Sequence, residues 1–230
     1  MGEDEWLELA YRDRTWVTQL DGDLVENARG TVSGTPTSSS MSPGLVVWML
    51  EIARISEGDR VLEVGTGTGY STALLCHRLG SEAVASVECD PVVAGRARGA
   101  LTGAGYAPAL VVGDGLGHYE RNAGYDRLIA SCSVRHIPIP WVWQLRDGGT
   151  ITTPMSGWMC GDAFVHLTLG AGSTASGRFL AEDIHFMTTR SHGPPPMAPP
   201  YLTGGEVRES RVDPWTLPQN EVSAGFPTID

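Results

Sequence analysis

The chain has 230 residues, of which 41% are hydrophobic, and this allows one α/β domain with a substantial core and a modest extension. Acidic side chains number 27 against 16 cationic ones, all of them arginine, which gives a net charge of −11. This charge repels a phosphate backbone and disfavours a nucleic-acid substrate, while the lack of lysine excludes Schiff-base chemistry and a Walker-type nucleotide site.

The cysteines also restrict the possible classes of protein. Cys76, Cys89, Cys132 and Cys160 are widely separated and form no Cys-x-x-Cys pair, so they predict neither a zinc site nor a disulfide framework. The sequence contains no run of 18 apolar residues and no signal-like segment near its start. We therefore expect a reduced, cytoplasmic protein that does not engage a membrane.

The first part of the chain is mixed and acidic. Residues 1–30 predict a short helix followed by an extended segment at Trp16–Leu20. Residues 31–42 are rich in serine and threonine, which indicates a loop or linker. Pro43, with Ser42 before it as the N-cap, then begins a periodic apolar run that predicts a helix to Ile55.

A strand followed by three alternating glycines is the most informative segment. The strand Arg60–Val64 leads into Gly65, Gly67 and Gly69. Glycine adopts positive φ and has no Cβ, so such a turn lets the backbone approach a small ligand closely. The dinucleotide fingerprint needs a third glycine at the sixth position, where this chain has Tyr70, and a nicotinamide cofactor is therefore disfavoured.

Strands and helices alternate after the glycine turn, which predicts a parallel sheet with right-handed crossovers. The predicted elements are Tyr70–Leu79 (helix), Val84–Glu88 (strand), Pro91–Ala104 (helix), Ala109–Val112 (strand), Tyr125–Ser131 (strand), Pro140–Arg146 (helix) and Gly149–Pro154 (strand). Glu88 ends its strand 23 positions after Gly65, close to the spacing of about 20 residues at which an acidic residue meets ribose hydroxyls. Asp114 follows the next strand in the same way.

The last predicted strands, Phe164–Leu169 and Gly177–Phe186, follow without an intervening helix and predict an antiparallel hairpin at one edge of the sheet. We interpret His166 and His185 as strand residues rather than ligands. The proline-rich sequence that follows favours polyproline geometry. We divide the chain into an N-terminal segment at 1–37, a central domain at 38–190 and a C-terminal tail at 191–230.

The pattern Glu-x-Gly-x-Gly-x-Gly from Glu63 resembles the glycine motif of class I S-adenosylmethionine (SAM) methyltransferases. This resemblance implies a Rossmann-like, doubly wound α/β fold with a mostly parallel seven-stranded sheet, an antiparallel edge hairpin and SAM as the cofactor. It implies that Glu63 pairs with the SAM ammonium, that Glu88 binds the ribose and that Asp114 contacts the adenine amino group. The expected cofactor-binding residues are Glu63, Gly65, Thr66, Gly67, Thr68, Gly69, Glu88, Cys89, Asp114, Gly115 and Ser131.

A more specific resemblance covers about residues 38–154. The Ser39–Pro43 loop, the Val61–Tyr70 motif, Gly113–Gly115, Tyr125–Asp126 and Gly148–Gly149 are together similar to the protein-L-isoaspartate O-methyltransferase family. That family typically has Thr-Ile-Ser-x-Pro in this loop, and its serine contacts the acceptor carboxylate.

In this chain Met41 stands at the place of that serine, so the catalytic candidates are Ser39, Ser40 and Ser42. A peptide carboxylate with a pKa near ~4 is already a nucleophile at neutral pH and needs no base. The serine hydroxyls and the free N–H groups at the start of the Pro43 helix predict an anion site for it.

The serine run, the acidic N-terminal segment and the tail look more like the branch of this family that tailors ribosomally made peptides. That branch methylates an aspartate side chain, and the ester closes to a succinimide (aspartimide) that hydrolysis converts to isoaspartate. Repair of isoaspartate in aged proteins is the alternative. Methylation of a small-molecule hydroxyl or of a nucleic-acid base, and a non-catalytic binding module, also remain open.

Overall fold

The structure, a computed structural model, describes residues 3–117, 124–157, 162–171, 174–180 and 186–192. Its helices are α1 (Glu3–Tyr11), α2 (Pro43–Ala53), α3 (Tyr70–Leu79), α4 (Pro91–Gly103) and α5 (Ile139–Gln144). Its strands are β1 (Trp16–Leu20), β2 (Asp23–Leu24), β3 (Pro36–Ser40), β4 (Val61–Val64), β5 (Val84–Glu88), β6 (Ala109–Val112), β7 (Tyr125–Ala130), β8 (Leu145–Ser156), β9 (Asp162–Leu169) and β10 (Ala175–Leu180).

The large sheet has seven strands in the order β10-β9-β8-β7-β4-β5-β6. Strands β6, β5, β4, β7 and β8 run parallel, whereas β9 and β10 pair antiparallel at one edge. All four side chains of β4 are buried, as expected for a central strand covered on both faces. The predicted α/β fold with its antiparallel edge is confirmed.

Helix caps explain where the crossover helices begin and end. Asp90 accepts hydrogen bonds from the Val92 and Val93 N–H groups at 2.9 and 3.1 Å, and Pro91 occupies the first position of α4. Ser42 caps α2 as predicted, but Arg54 adopts a left-handed conformation and ends that helix before Ile55.

A small sheet in the order β2-β1-β3 precedes the large one. The serine- and threonine-rich stretch, predicted as a loop, thus supplies β3. Its hydroxyls form hydrogen bonds within this sheet: Thr18 donates to Ser38 at 3.0 Å, and Thr37 donates to the side-chain amide oxygen (Oε1) of Gln19 at 2.8 Å. The predicted boundary between residues 37 and 38 therefore falls inside β3.

Two predicted elements differ at their ends. The strand β8 begins at Leu145, inside the predicted helix, and extends to Ser156 because β9 pairs with it from Thr150 onwards. The described part of the edge strand β10 runs from Ala175 to Leu180, and residues 181–185 of the predicted strand lie outside the described residues. His185, Cys160 and the tail beyond His192 lie outside the described residues. Within the described part of the chain, no helix is both long enough and apolar enough to cross a bilayer.

Candidate functional site

A cavity of about 320 Å³ lies at the carboxyl ends of β4, β5, β6 and β7. This is the edge at which open α/β sheets bind ligands. Its wall includes the glycine turn, Glu88 and Cys89, Gly113–Leu116, Ser131 and Cys132, part of β3, and residues 187–191.

The glycine turn requires residues without a side chain. Gly65 has φ +93°, and a Cβ there would lie 2.7 Å from the Ser131 hydroxyl oxygen. That hydroxyl donates to the Gly65 carbonyl and so fixes the turn against the end of β7. A Cβ at Gly67 would lie 3.4 Å from the Ser39 carbonyl, which shows how closely β3 approaches the turn. The structure thus brings the predicted glycines and Ser131 together at the cavity.

Glu88 lines the cavity as predicted for a ribose ligand. Its carboxylate accepts from the Gly67 N–H at 2.9 Å and the Asp90 N–H at 3.1 Å, which fixes the side chain between two loops. A carboxylate has about four acceptor positions, so capacity remains for ligand hydroxyls. In the neighbouring Cys89, burial of the thiol raises its pKa to about 11, and the negative charge of Glu88 adds to this effect. Cys89 is therefore not a thiolate nucleophile at neutral pH.

Asp114 follows β6, the strand next to β5, and also lines the cavity. One carboxylate oxygen accepts from the Leu116 N–H at 3.0 Å, and the other accepts from the Ser191 hydroxyl at 2.8 Å. The buried Trp141 indole N–H donates to the Gly115 carbonyl at 2.7 Å and holds this loop in place. Asp114 and Gly115 both line the cavity, and their contact with a cofactor stays a prediction.

Glu63 has a different environment from the predicted one. It is fully buried behind the glycine turn and does not line the cavity. Its carboxylate accepts from the hydroxyls of Ser71 at 2.5 Å, Ser86 at 2.8 Å and Thr72. Desolvation by burial raises the pKa of Glu63. The structure therefore does not support direct pairing with a ligand ammonium; Glu63 instead ties the first turn of α3 to β5.

On the acceptor side, three consecutive residues, Thr37, Ser38 and Ser39, line the cavity. A regular strand would point alternate side chains to opposite faces, but the β1–β3 register shifts between Gln19 and Leu20. Met41 also lines the cavity. Of the three predicted catalytic serines, Ser39 alone is part of this wall, whereas Ser40 and Ser42 lie outside it.

The start of α2 does not offer the predicted anion site. Pro43 has no N–H, Ser42 accepts from the Leu45 N–H at 3.4 Å, and the Asp13 carboxylate accepts from the Gly44 N–H at 2.9 Å. A carboxylate of the chain itself thus occupies this helix terminus. The prediction was wrong because Asp13 is distant in sequence and no local pattern links it to α2.

A segment without a sequence motif, residues 186–192, also contributes to the site. We call it the strap. Its main chain bonds to Ser133 on both sides: the Ser133 N–H donates to the Met187 carbonyl and the Thr189 N–H donates to the Ser133 carbonyl, each at 2.9 Å. Residues 187–191 line the cavity. The predicted domain boundary at 190/191 therefore cuts through a cavity wall.

A family model described as protein-L-isoaspartate(D-aspartate) O-methyltransferase (PCMT) matches residues 15–163. A protein-L-isoaspartate O-methyltransferase of Ignicoccus hospitalis is 39% identical over 116 residues, which cover 50% of this chain and 55% of that protein. A protein-L-isoaspartate O-methyltransferase 2 of Archaeoglobus fulgidus is 40% identical over 116 residues, covering 50% and 53%. The chain spans about half the length of these relatives.

Solved structures agree with the fold. A protein-L-isoaspartate O-methyltransferase matches with a TM-score of 0.67 at 25% identity, covering 79% of this chain and 54% of that one. A structure from Plasmodium falciparum, described as such an enzyme in complex with S-adenosyl-L-homocysteine, matches with a TM-score of 0.57 at 14% identity over 70% and 79% of the two chains. The chain therefore belongs to the protein-L-isoaspartate O-methyltransferase family.

Proposed function

We propose that this protein is a SAM-dependent carboxyl O-methyltransferase that acts on a peptide or protein substrate. The observation that carries the proposal is a cavity that Glu88 and Asp114, at the ends of the neighbouring strands β5 and β6, line together with the glycine turn. SAM has a net positive charge and several hydroxyl and amino donors, so two carboxylates beside the turn suit it better than they suit a phosphate.

Carboxylate chemistry fits the acceptor side. SAM, when bound, supplies an electrophilic methyl group on a sulfonium. A carboxylate oxygen attacks without losing a proton, so the protein needs to orient the acceptor and exclude water rather than provide a base. Among the described residues that line the cavity none is a histidine, which favours a carboxylate over a hydroxyl acceptor. We assign acceptor positioning to Ser39, with Thr37 and Ser38 beside it.

The acceptor is the free carboxylate of an L-isoaspartyl residue, because that is the substrate in the names of the relatives. A second candidate is an aspartate in a ribosomally made peptide, with closure of the ester to a succinimide. The observation that favours it is Met41 in the cavity wall, where the family has a serine. In both cases the following backbone nitrogen attacks the ester carbonyl and closes the ring, the bond to methoxide breaks, and methoxide takes up the amide proton and leaves as methanol.

The test uses one synthetic hexapeptide in three forms, with isoaspartate, aspartate or asparagine at the same position. Mass spectrometry after incubation with SAM should show a gain of one CH₂ on the isoaspartyl form and then loss of methanol. The asparagine form is the control and should stay unchanged. Methylation of the asparagine form, or of none of the three, would reject the proposal, and methylation of the aspartyl form alone would favour the second candidate.

Glu63 provides a further prediction. Glu63→Gln should leave the affinity for S-adenosylhomocysteine (SAH) within about threefold of wild type, because the amide fills the same space and still pairs with the hydroxyls. Burial raises the folded-state pKa of Glu63 above the unfolded one, so ionisation lowers the free energy of unfolding as the pH rises.

Glu63→Gln removes this ionisation and should gain stability relative to wild type from acidic to neutral pH. Urea unfolding across that pH range, with calorimetry of SAH binding, checks both expectations. A large loss of SAH affinity in Glu63→Gln would instead support a direct contact between Glu63 and the ligand ammonium, as the sequence resemblance implied.

A further inference from the structure

The cavity contains an unbalanced negative charge. Two carboxylates, Glu88 and Asp114, line it, and the whole chain has a net charge of −11. Among the described residues of the cavity wall, Arg190 in the strap is the only cation. An anionic acceptor that enters this cavity is repelled by the two carboxylates and attracted by Arg190 and by the bound sulfonium.

Arg190 lies beside the acceptor wall. Its Nη2 donates to Asp90 at 3.0 Å and to the side-chain amide oxygen (Oε1) of Gln19 at 3.4 Å. The same Gln19 oxygen accepts from the Thr37 hydroxyl at 2.8 Å. Thr37 is two residues from Ser39 on β3, so one shared acceptor atom connects the guanidinium to the strand that carries the acceptor hydroxyls.

Asp90 leaves much of the Arg190 charge available. One of its oxygens accepts from the Val92 and Val93 N–H groups at the start of α4, and the other accepts from Gln19 at 3.1 Å as well as from Arg190. The negative charge of Asp90 is thus shared with a helix terminus and an amide. The Arg190 side chain is 49% exposed, and its contacts with Asp90 and Gln19 use Nη2 alone, so these two contacts do not use the Nη1 and Nε donors.

We infer that Arg190 is a substrate-binding residue that receives the acceptor carboxylate in the cavity and selects an anionic acceptor over a neutral one. The inference rests on the proposed function. One guanidinium N–H donates to one carboxylate oxygen while the other oxygen remains free to attack the methyl group.

A purely structural role of Arg190 gives different results. If Arg190 only latches the strap to Asp90 over the cofactor, its loss weakens cofactor binding and leaves the preference for an anionic acceptor intact. If Arg190 binds the acceptor, its loss leaves cofactor binding nearly unchanged and removes the preference for an anionic acceptor. Cofactor affinity and acceptor preference therefore separate the two roles.

The experiment compares wild type with Arg190→Gln, Arg190→Lys and the control Arg178→Gln, which removes an exposed arginine on β10 away from the cavity. Calorimetry measures SAH affinity, and steady-state rates at saturating SAM give KM for the isoaspartyl hexapeptide. Binding of the isoaspartyl and asparaginyl peptides to the SAH-loaded protein gives the anion preference without turnover.

We expect Arg190→Gln to raise the peptide KM about tenfold or more and to abolish the anion preference, because a charged hydrogen bond is lost. SAH affinity should stay within about threefold of wild type, and Arg190→Lys should recover part of the preference since it keeps the charge. An unchanged anion preference in Arg190→Gln, with weaker SAH binding, would overturn the inference. Failure of wild type to methylate any carboxylate peptide would instead reject the proposed function.

Discussion

Replacement of Glu88 by alanine should weaken SAH binding by about 100-fold, because a hydrogen bond to a charged group contributes about 1.5–3 kcal/mol and this carboxylate is expected to bind the ribose hydroxyls. The variant also removes the hydrogen bond that the Gly67 N–H donates to Glu88 at 2.9 Å, which destabilises the glycine turn. Glu88→Gln keeps the shape of the side chain and one acceptor oxygen, so its affinity for SAH should fall by about tenfold. Isothermal titration calorimetry with SAH measures each constant.

Glu82→Gln is the matched control for this series. Glu82 is exposed in the short helical turn before β5 and lies outside the cavity wall, so its variant should bind SAH like wild type. Equal SAH affinity in Glu88→Ala and wild type would show that the ligand does not use the end of β5.

The second large effect is expected at Gly65. Gly65→Ala should lower the free energy of unfolding by about 2–4 kcal/mol, the sum of strain at φ +93° and of overpacking against the Ser131 hydroxyl 2.7 Å away. The turn must move to relieve this contact, and SAH binding should fall below detection. Chemical denaturation measures the change in the free energy of unfolding, and calorimetry measures SAH binding.

A second variant separates strain from overpacking. Gly65→Ala combined with Ser131→Ala removes the close contact and should recover about half of the lost stability, because the positive φ remains unfavourable. Gly95→Ala is the control: this α4 glycine has open space around it, and alanine should stabilise the helix by about 1 kcal/mol. If Gly65→Ala were as stable as wild type, the described turn geometry would be wrong.

Local patterns were sufficient for most of the fold and for one side of the site. The helix Tyr70–Leu79 and the strands Val84–Glu88 and Ala109–Val112 have the predicted bounds, since alternation of buried strands and capped helices is a short-range signal. Because parallel strands end at one edge, Glu88 and Asp114 could be placed together before the structure was known.

Contacts between distant segments were not predictable in this way. The carboxylate of Asp13 at the start of α2 and the Glu63 contacts with Ser71, Thr72 and Ser86 depend on tertiary packing. An acidic residue at a strand end predicts a ligand contact equally well whether it faces the cavity or the core.

The acceptor side was the least predictable part. A strand of serines and threonines has no apolar alternation, and no local pattern predicts the register shifts of β3 against β1 or the three consecutive residues that line the cavity. The strap follows the edge hairpin and has no motif of its own, yet Ser191 reaches Asp114 and Arg190 reaches Asp90. Both features depend on where β3 and the strap meet the large sheet.

The most direct test of the account is a crystal structure of the protein grown with saturating SAH. We predict that SAH lies in the cavity at the ends of β4, β5 and β6, with its ribose hydroxyls on Glu88, its adenine beside Asp114 and its sulfur facing Ser39. Density for SAH at another place, or in this cavity with the ribose away from Glu88, would contradict it.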